Sequence, residues 1–135
     1  VPCVAYVGAD DVKLARELAG HLFGHLHGLG RVLVVTGPEE SVTSLDRLRG
    51  FREAAALHPG IAVAGQVAGN YARDVARAQA AAWIAANGCP DACLVANDIM
   101  AVGVLEALEA VGVRAAFLNS TQGPDERRAV EAEVA

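Results

Sequence analysis

The sequence predicts a three-layer α/β/α domain around a five-stranded, mainly parallel sheet. Three observations point there. Five short apolar runs alternate with helix-like segments, and no hairpin signal joins any two of them. The runs are continuously apolar instead of alternating, which signals strands buried on both faces, as in a parallel sheet covered by helices. The length of 135 residues is that of one domain.

The elements follow in order along the chain. Residues 4–7 form a strand that ends at Gly8, and Asp10 or Asp11 can cap a helix running to about residue 26. Leu14, Leu18, Leu22 and Leu26 recur at i+4 spacing and mark that helix's apolar stripe. The tripeptide GLG at 28–30 stops it. Residues 31–36 are the clearest strand, followed by the loop GPEESVTS and a helix over about 44–57, closed by His58-Pro59-Gly60. A strand at 61–64, a helix over about 71–86 and a strand at 92–96 come next. A helix over 98–110, a strand at 114–118 and an acidic terminal segment complete the series.

Composition excludes several function classes. Hydrophobic residues make up 53% of the chain but aromatics only 4%, which leaves little surface for stacking single-stranded nucleic acid. With a formal charge of −5 and no basic cluster, direct nucleic-acid contact is not expected. No apolar run reaches membrane-span length. The chain does not begin with Met and shows no signal peptide, so a mature or excised piece is expected. Cys3 and Cys93 fall in predicted strands, where a thiol packs as a small apolar group. The alternative is a Cys89–Cys93 bridge, which needs an oxidising compartment.

Catalytic patterns are missing from the sequence. It contains no GxSxG elbow, no P-loop and no GxGxxG after the first strand. His21 and His25 stand at i, i+4 but lack a third ligand, and Glu39-Glu40 are neighbours in a loop that seldom converge on one atom. No catalytic residue, metal site or cofactor is expected, and the chain reads as a non-enzyme.

Binding chemistry is better represented. Ligands of open parallel sheets collect at the carboxyl ends of the strands. Those ends hold residues 36–41, 66–71, 97–98 and 119–122. Arg47 offers a planar fork of donors, Asn97 and Asn119 each offer a donor and an acceptor, and Tyr71 offers a ring face. That set suits a polyol. A competing reading makes Arg47 a surface residue paired with Asp46 or Glu53, and Asn97 a helix N-cap.

At this point the chain resembles type I periplasmic sugar-binding proteins, the ribose/galactose-type family whose lobes also form the effector domain of LacI-type repressors. YVGADDVKLARELAGHL is similar to the family's V-G-x-D-N opening, and VVTGPEESVTSLDRLRGFREAA to its G-x-x-x-S…R-x-x-G-F-x-x-A segment. GNYARDVA resembles its aromatic-bearing helix start, LVANDIMAVGVLEALEAVG its N-D-x-M-A-x-G signature, and FLNSTQGPDE its last strand-end turn. The order and spacing match along nearly the whole chain.

The resemblance implies that residues 1–135 are one ligand-binding lobe, the C-terminal one, with the N-terminal lobe absent from this chain. It implies a sugar or polyol held by Arg47, Asn97 and Asn119, with Tyr71 packing on it. Asn119 stands where ribose-like members carry Asp. The expected partners are the missing lobe and an ABC permease, in a periplasmic or extracellular setting. The alternative is a sugar-sensing effector domain of a LacI-type regulator, which would be cytoplasmic. A third class is an enzyme on the same scaffold, flavodoxin-like or response-regulator-like; against a response regulator, no strand ends in an aspartate with a paired acidic cluster and a later strand-end lysine. The resemblance also gives Met100, Ala101 and Gly103 the task of packing their helix on the sheet.

Overall fold

The computed structural model describes residues 3–7, 12–113 and 115–118. Strands β1 (Cys3–Val7), β2 (Gly30–Thr36), β3 (Ile61–Ala68), β4 (Ala92–Val95) and β5 (Ala115–Leu118) alternate with helices α1 (Val12–His25), α2 (Val42–Ala56), α3 (Arg73–Asn87) and α4 (Asp98–Ala110). The strands form one sheet in the order β3-β2-β4-β1-β5. All four strand pairs are parallel.

The two faces of the sheet carry separate cores. On one face Val32, Val34, Ala92 and Leu94 pack against Leu18, Leu22 and Phe23 of α1 and Phe51 of α2. On the other, Leu33, Val35, Cys93 and Val95 pack against Ala76, Ala80 and Ile84 of α3 and Met100, Val104 and Leu108 of α4. Successive side chains of β2 and β4 thus point to opposite cores, and every one from Val32 to Val35 and from Ala92 to Val95 is buried. Each large apolar side chain so buried contributes about 1.5–3 kcal/mol.

Several expected boundaries move, each for a local reason. Helix α1 ends one residue short of Leu26 in a Schellman motif: His27 takes φ 57°, and the Gly28 N–H donates to the Phe23 carbonyl at 2.8 Å. The left-handed turn therefore begins one residue before GLG, at His27, and continues through Gly28 at φ 72°. Helix α2 starts at Val42, earlier than the expected 44, because the Ser41 side chain accepts from Ser44 N and caps it. Strand β3 runs four residues past the expected end at 64, and its side chains alternate between covered and exposed instead of being buried throughout. It is an edge strand, and a register shift opposite Val32 and Leu33 leaves Ala64 bulged. Helix α3 starts at Arg73, not 71, because Asn70 and Tyr71 have φ of 53° and 56° and cannot join it. The expected caps Asp10 and Asp11, and the side chain of Leu14, lie outside the described residues.

Helices on the same face approach until their backbones touch. A Cβ on Gly103 would sit 2.2 Å from the Arg73 carbonyl oxygen, and one on Gly50 would sit 2.5 Å from that of Val12. Gly103 therefore docks α4 on α3, whereas Met100 and Ala101 of the same helix are buried in the core of this face. This divides the task expected of the three residues. Across the α3–α4 seam, Arg73 grips Glu106 through Nε at 2.6 Å and Nη2 at 2.9 Å, and Arg77 adds a contact at 3.6 Å. Hydrogen bonding from Arg73 holds the Glu106 carboxyl below its ordinary range. Trp83 of α3 lies over Gly65 of β3, and Arg31 stacks on it with the guanidinium carbon 5.7 Å from the ring centroid. Cys93 is buried in β4 and Cys89 is exposed, and the two form no disulfide. Cys3's side chain lies outside the described residues. No helix among the described residues is long and apolar enough to cross a membrane.

Two outcomes are expected. Gly103→Val forces α3 and α4 apart and lowers stability by about 1–3 kcal/mol, read from urea unfolding. Glu106 has a depressed folded-state value, so its contribution is present above the ordinary carboxylate range and is lost as pH falls through that depressed value. The difference in urea midpoint between the parent and Glu106→Gln is therefore expected at pH 7 and should vanish in acid; a constant difference would refute the ion pair's role.

Candidate functional site

Strands β2 and β4 are hydrogen-bonded neighbours, yet the helices that follow them cover opposite faces. That makes the gap between their carboxyl ends the topological switch point of the sheet, where open α/β folds bind ligands. Both α2 and α4 start at this end, so two helix N-termini bring their partial positive charge to it.

The loop after β2 is held by serines. The buried Ser44 hydroxyl accepts from Gly37 N at 2.8 Å, and Ser41 Oγ accepts from Ser44 N at 3.2 Å. The loop after β3 is tied to the same place, because Gly69 N donates to the Thr36 carbonyl at 2.8 Å. Asn70 and Tyr71 then turn left-handed, a conformation that costs a residue with a Cβ about 1–2 kcal/mol. Tertiary contacts hold Tyr71 there. Its ring packs against the core beneath α3 and α4, and its hydroxyl lies 2.9 Å from Ser41 Oγ. Its Cε1 would be 2.4 Å from any Cβ on Gly37, so only glycine leaves room for the ring.

Arg47, half-buried on α2, donates through Nη1 to the Ala96 carbonyl at the end of β4. This anchors its guanidinium at the switch point. Glu53, one of its expected surface partners, is instead engaged by Arg16 at 3.2 Å and Arg49 at 3.4 Å. Asn97 follows Ala96 and caps α4, its Oδ1 accepting from Met100 N at 2.9 Å. The cap uses only the carbonyl end of the amide and leaves its Nδ2 donors out. Asp98 is exposed in the first turn, where a carboxylate suits the helix dipole.

Three of the four residues expected to bind, Arg47, Asn97 and Tyr71, thus belong to one end of the sheet, on the elements that follow β2, β3 and β4. Asn119 lies outside the described residues. Gln66, counted among the strand-end residues, lies inside β3 and accepts from Arg52 at 2.6 Å. His21 and His25 lie on α1. Glu39 and Glu40 are exposed in the turn before α2. Ser41 and Ser44 were not singled out as site residues; two serines three apart at a helix start are the signal that could have found them.

An α/β/α unit with polar groups at a switch point has the layout of a ligand-binding α/β domain. Residues 1–127 match the periplasmic binding protein domain, and the chain belongs to that family. Among solved structures it is similar to a Caulobacter myo-inositol binding protein, with 27% identity and TM-score 0.77 over 94% of this chain and 45% of that one. It is also similar to a twin-arginine translocation pathway signal protein from Burkholderia phytofirmans, at 30% identity and TM-score 0.72 over 80% of this chain and 34% of that one. A periplasmic solute-binding protein of an ABC transporter from Actinobacillus succinogenes, bound to D-allose, shares the fold at 24% identity and TM-score 0.75, over 84% and 40%. The chain spans less than half the length of each of these. No curated protein matches it.

Asn97 separates capping from any contact with a ligand. Asn97→Ala is expected to lower stability by about 1 kcal/mol in urea unfolding. Asn97→Asp keeps an acceptor for Met100 N and should hold that stability; an equal loss in both variants would show that Oδ1 is not the capping atom.

Proposed function

We propose that this chain is the C-terminal sugar-binding lobe of an ABC-importer solute receptor that works in the periplasm or at the outer cell surface. The observation that carries the reading is that Arg47, Asn97 and Tyr71 all lie at the carboxyl end of the sheet, the end from which α2 and α4 also start. A sugar hydroxyl is both donor and acceptor, and its C–H faces are apolar. A charged planar donor, a mixed amide and an aromatic wall answer those three features. Asn119, at the end of β5 in the sequence, is assigned to the same ligand. The lobe performs no bond-making step; it binds and releases. A second lobe of the parent protein covers the ligand, and the closed receptor hands it to a membrane permease.

The test is a thermal-shift screen of the full natural chain that carries this domain, against pentoses, hexoses and inositols. Binding to the native state alone raises the melting temperature by mass action. A selective rise is expected, and Arg47→Ala should weaken the affinity about tenfold or more while unfolding stays cooperative. If no sugar or polyol shifts the transition, the reading is overturned.

A further inference from the structure

Building on the sugar-binding reading, we propose that Ser41 is a further site residue, and that its hydroxyl and that of Tyr71 act as one pair that grips a ligand hydroxyl. The two oxygens lie 2.9 Å apart, although the residues are 30 positions apart in sequence. The Ser41 oxygen already accepts from Ser44 N, so the N-cap fixes its position. The Tyr71 ring is wedged against Gly37 and the core, and its backbone is held left-handed. Neither group can turn away without breaking a second contact.

Two hydroxyl groups carry two hydrogens, and the bond between them uses one. Whichever group donates, the pair keeps one O–H donor and lone pairs on the phenolic oxygen. It therefore offers a donor and an acceptor together, which is what a polyol hydroxyl can meet in both of its roles. A ring that served only as an apolar wall would need no tether to Ser41. Ser41 also positions the rest of the site, through its bond to Tyr71 and as the cap of α2, the helix that carries Arg47. The pair also joins the loop after β2 to the loop after β3, the two segments on either side of the Gly37 contact.

The test is titration calorimetry of the full natural chain with myo-inositol, D-allose and D-fructose as probes. Tyr71→Phe and Ser41→Ala are each expected to weaken the best probe about tenfold. The double variant should be no weaker than the poorer single one, and Ser41→Thr should restore binding. Unchanged affinity in Tyr71→Phe, or additive losses, would overturn the pair. Tyr71→Phe leaves the cap in place, so it decides the point even if Ser41→Ala fails to fold. Melting temperatures of the same four proteins read the contact without ligand: the double variant should lose less than the sum of the singles, and an additive loss refutes the contact. If the parent binds none of the probes, the sugar-binding reading falls and the ligand role of the pair falls with it, whereas the melting cycle still decides whether the two hydroxyls are joined.

Discussion

The structure depends on burial of β2 and β4 from both sides. Their paired residues, Val32 with Ala92 through Val35 with Val95, leave no position for a polar side chain. Recognition chemistry is thereby confined to the strand ends. The helices change sides between these two neighbouring strands, so the N-termini of α2 and α4 lie on opposite faces of the sheet at this end. The candidate site is a consequence of how the core is covered, and its polar groups take the first positions beyond the buried strands.

At this end of the sheet, the fold ties loop to loop and helix to strand. Ser44 holds Gly37, Thr36 holds Gly69, and Arg47 on α2 reaches the end of β4. The first link fixes the loop after β2 on the start of α2, and the other two join segments that belong to different strands, so the groups at this end are tied to the sheet as well as to their own loops. The cost is local: a tyrosine held in the left-handed region, stabilised by a ring contact that only a glycine partner permits. Rigid presentation of this kind lowers the entropy lost when a ligand binds.

The alternation of elements was legible because five apolar runs and four periodic segments carry it, and family motifs gave the candidate residues their places along the chain. Arg47, Asn97 and Tyr71 follow the carboxyl ends of β2, β4 and β3 as expected, although Tyr71 precedes its helix instead of opening it. Their contacts were not legible. Nothing local says that Arg47 would turn to the Ala96 carbonyl, 49 residues away, or that Gly103 would serve the neighbouring helix instead of the sheet. The β3 boundary slipped because an edge strand is covered unevenly, and its outward Ala62, Ala64 and Gln66 weaken the apolar run. The α3 start slipped because positive φ at Asn70 and Tyr71 is imposed by tertiary contacts, whereas neither residue type demands it.

Trp83 is the sequence's single tryptophan, and it is fixed between Gly65 of the edge strand and Arg31 at the amino-terminal end of β2. That places the dominant chromophore toward the end of the sheet away from Arg47 and Asn97. Within this lobe, intrinsic emission is a gauge of whether α3 still lies on β3, and occupancy of the strand-end gap must be followed with a different optical or calorimetric signal.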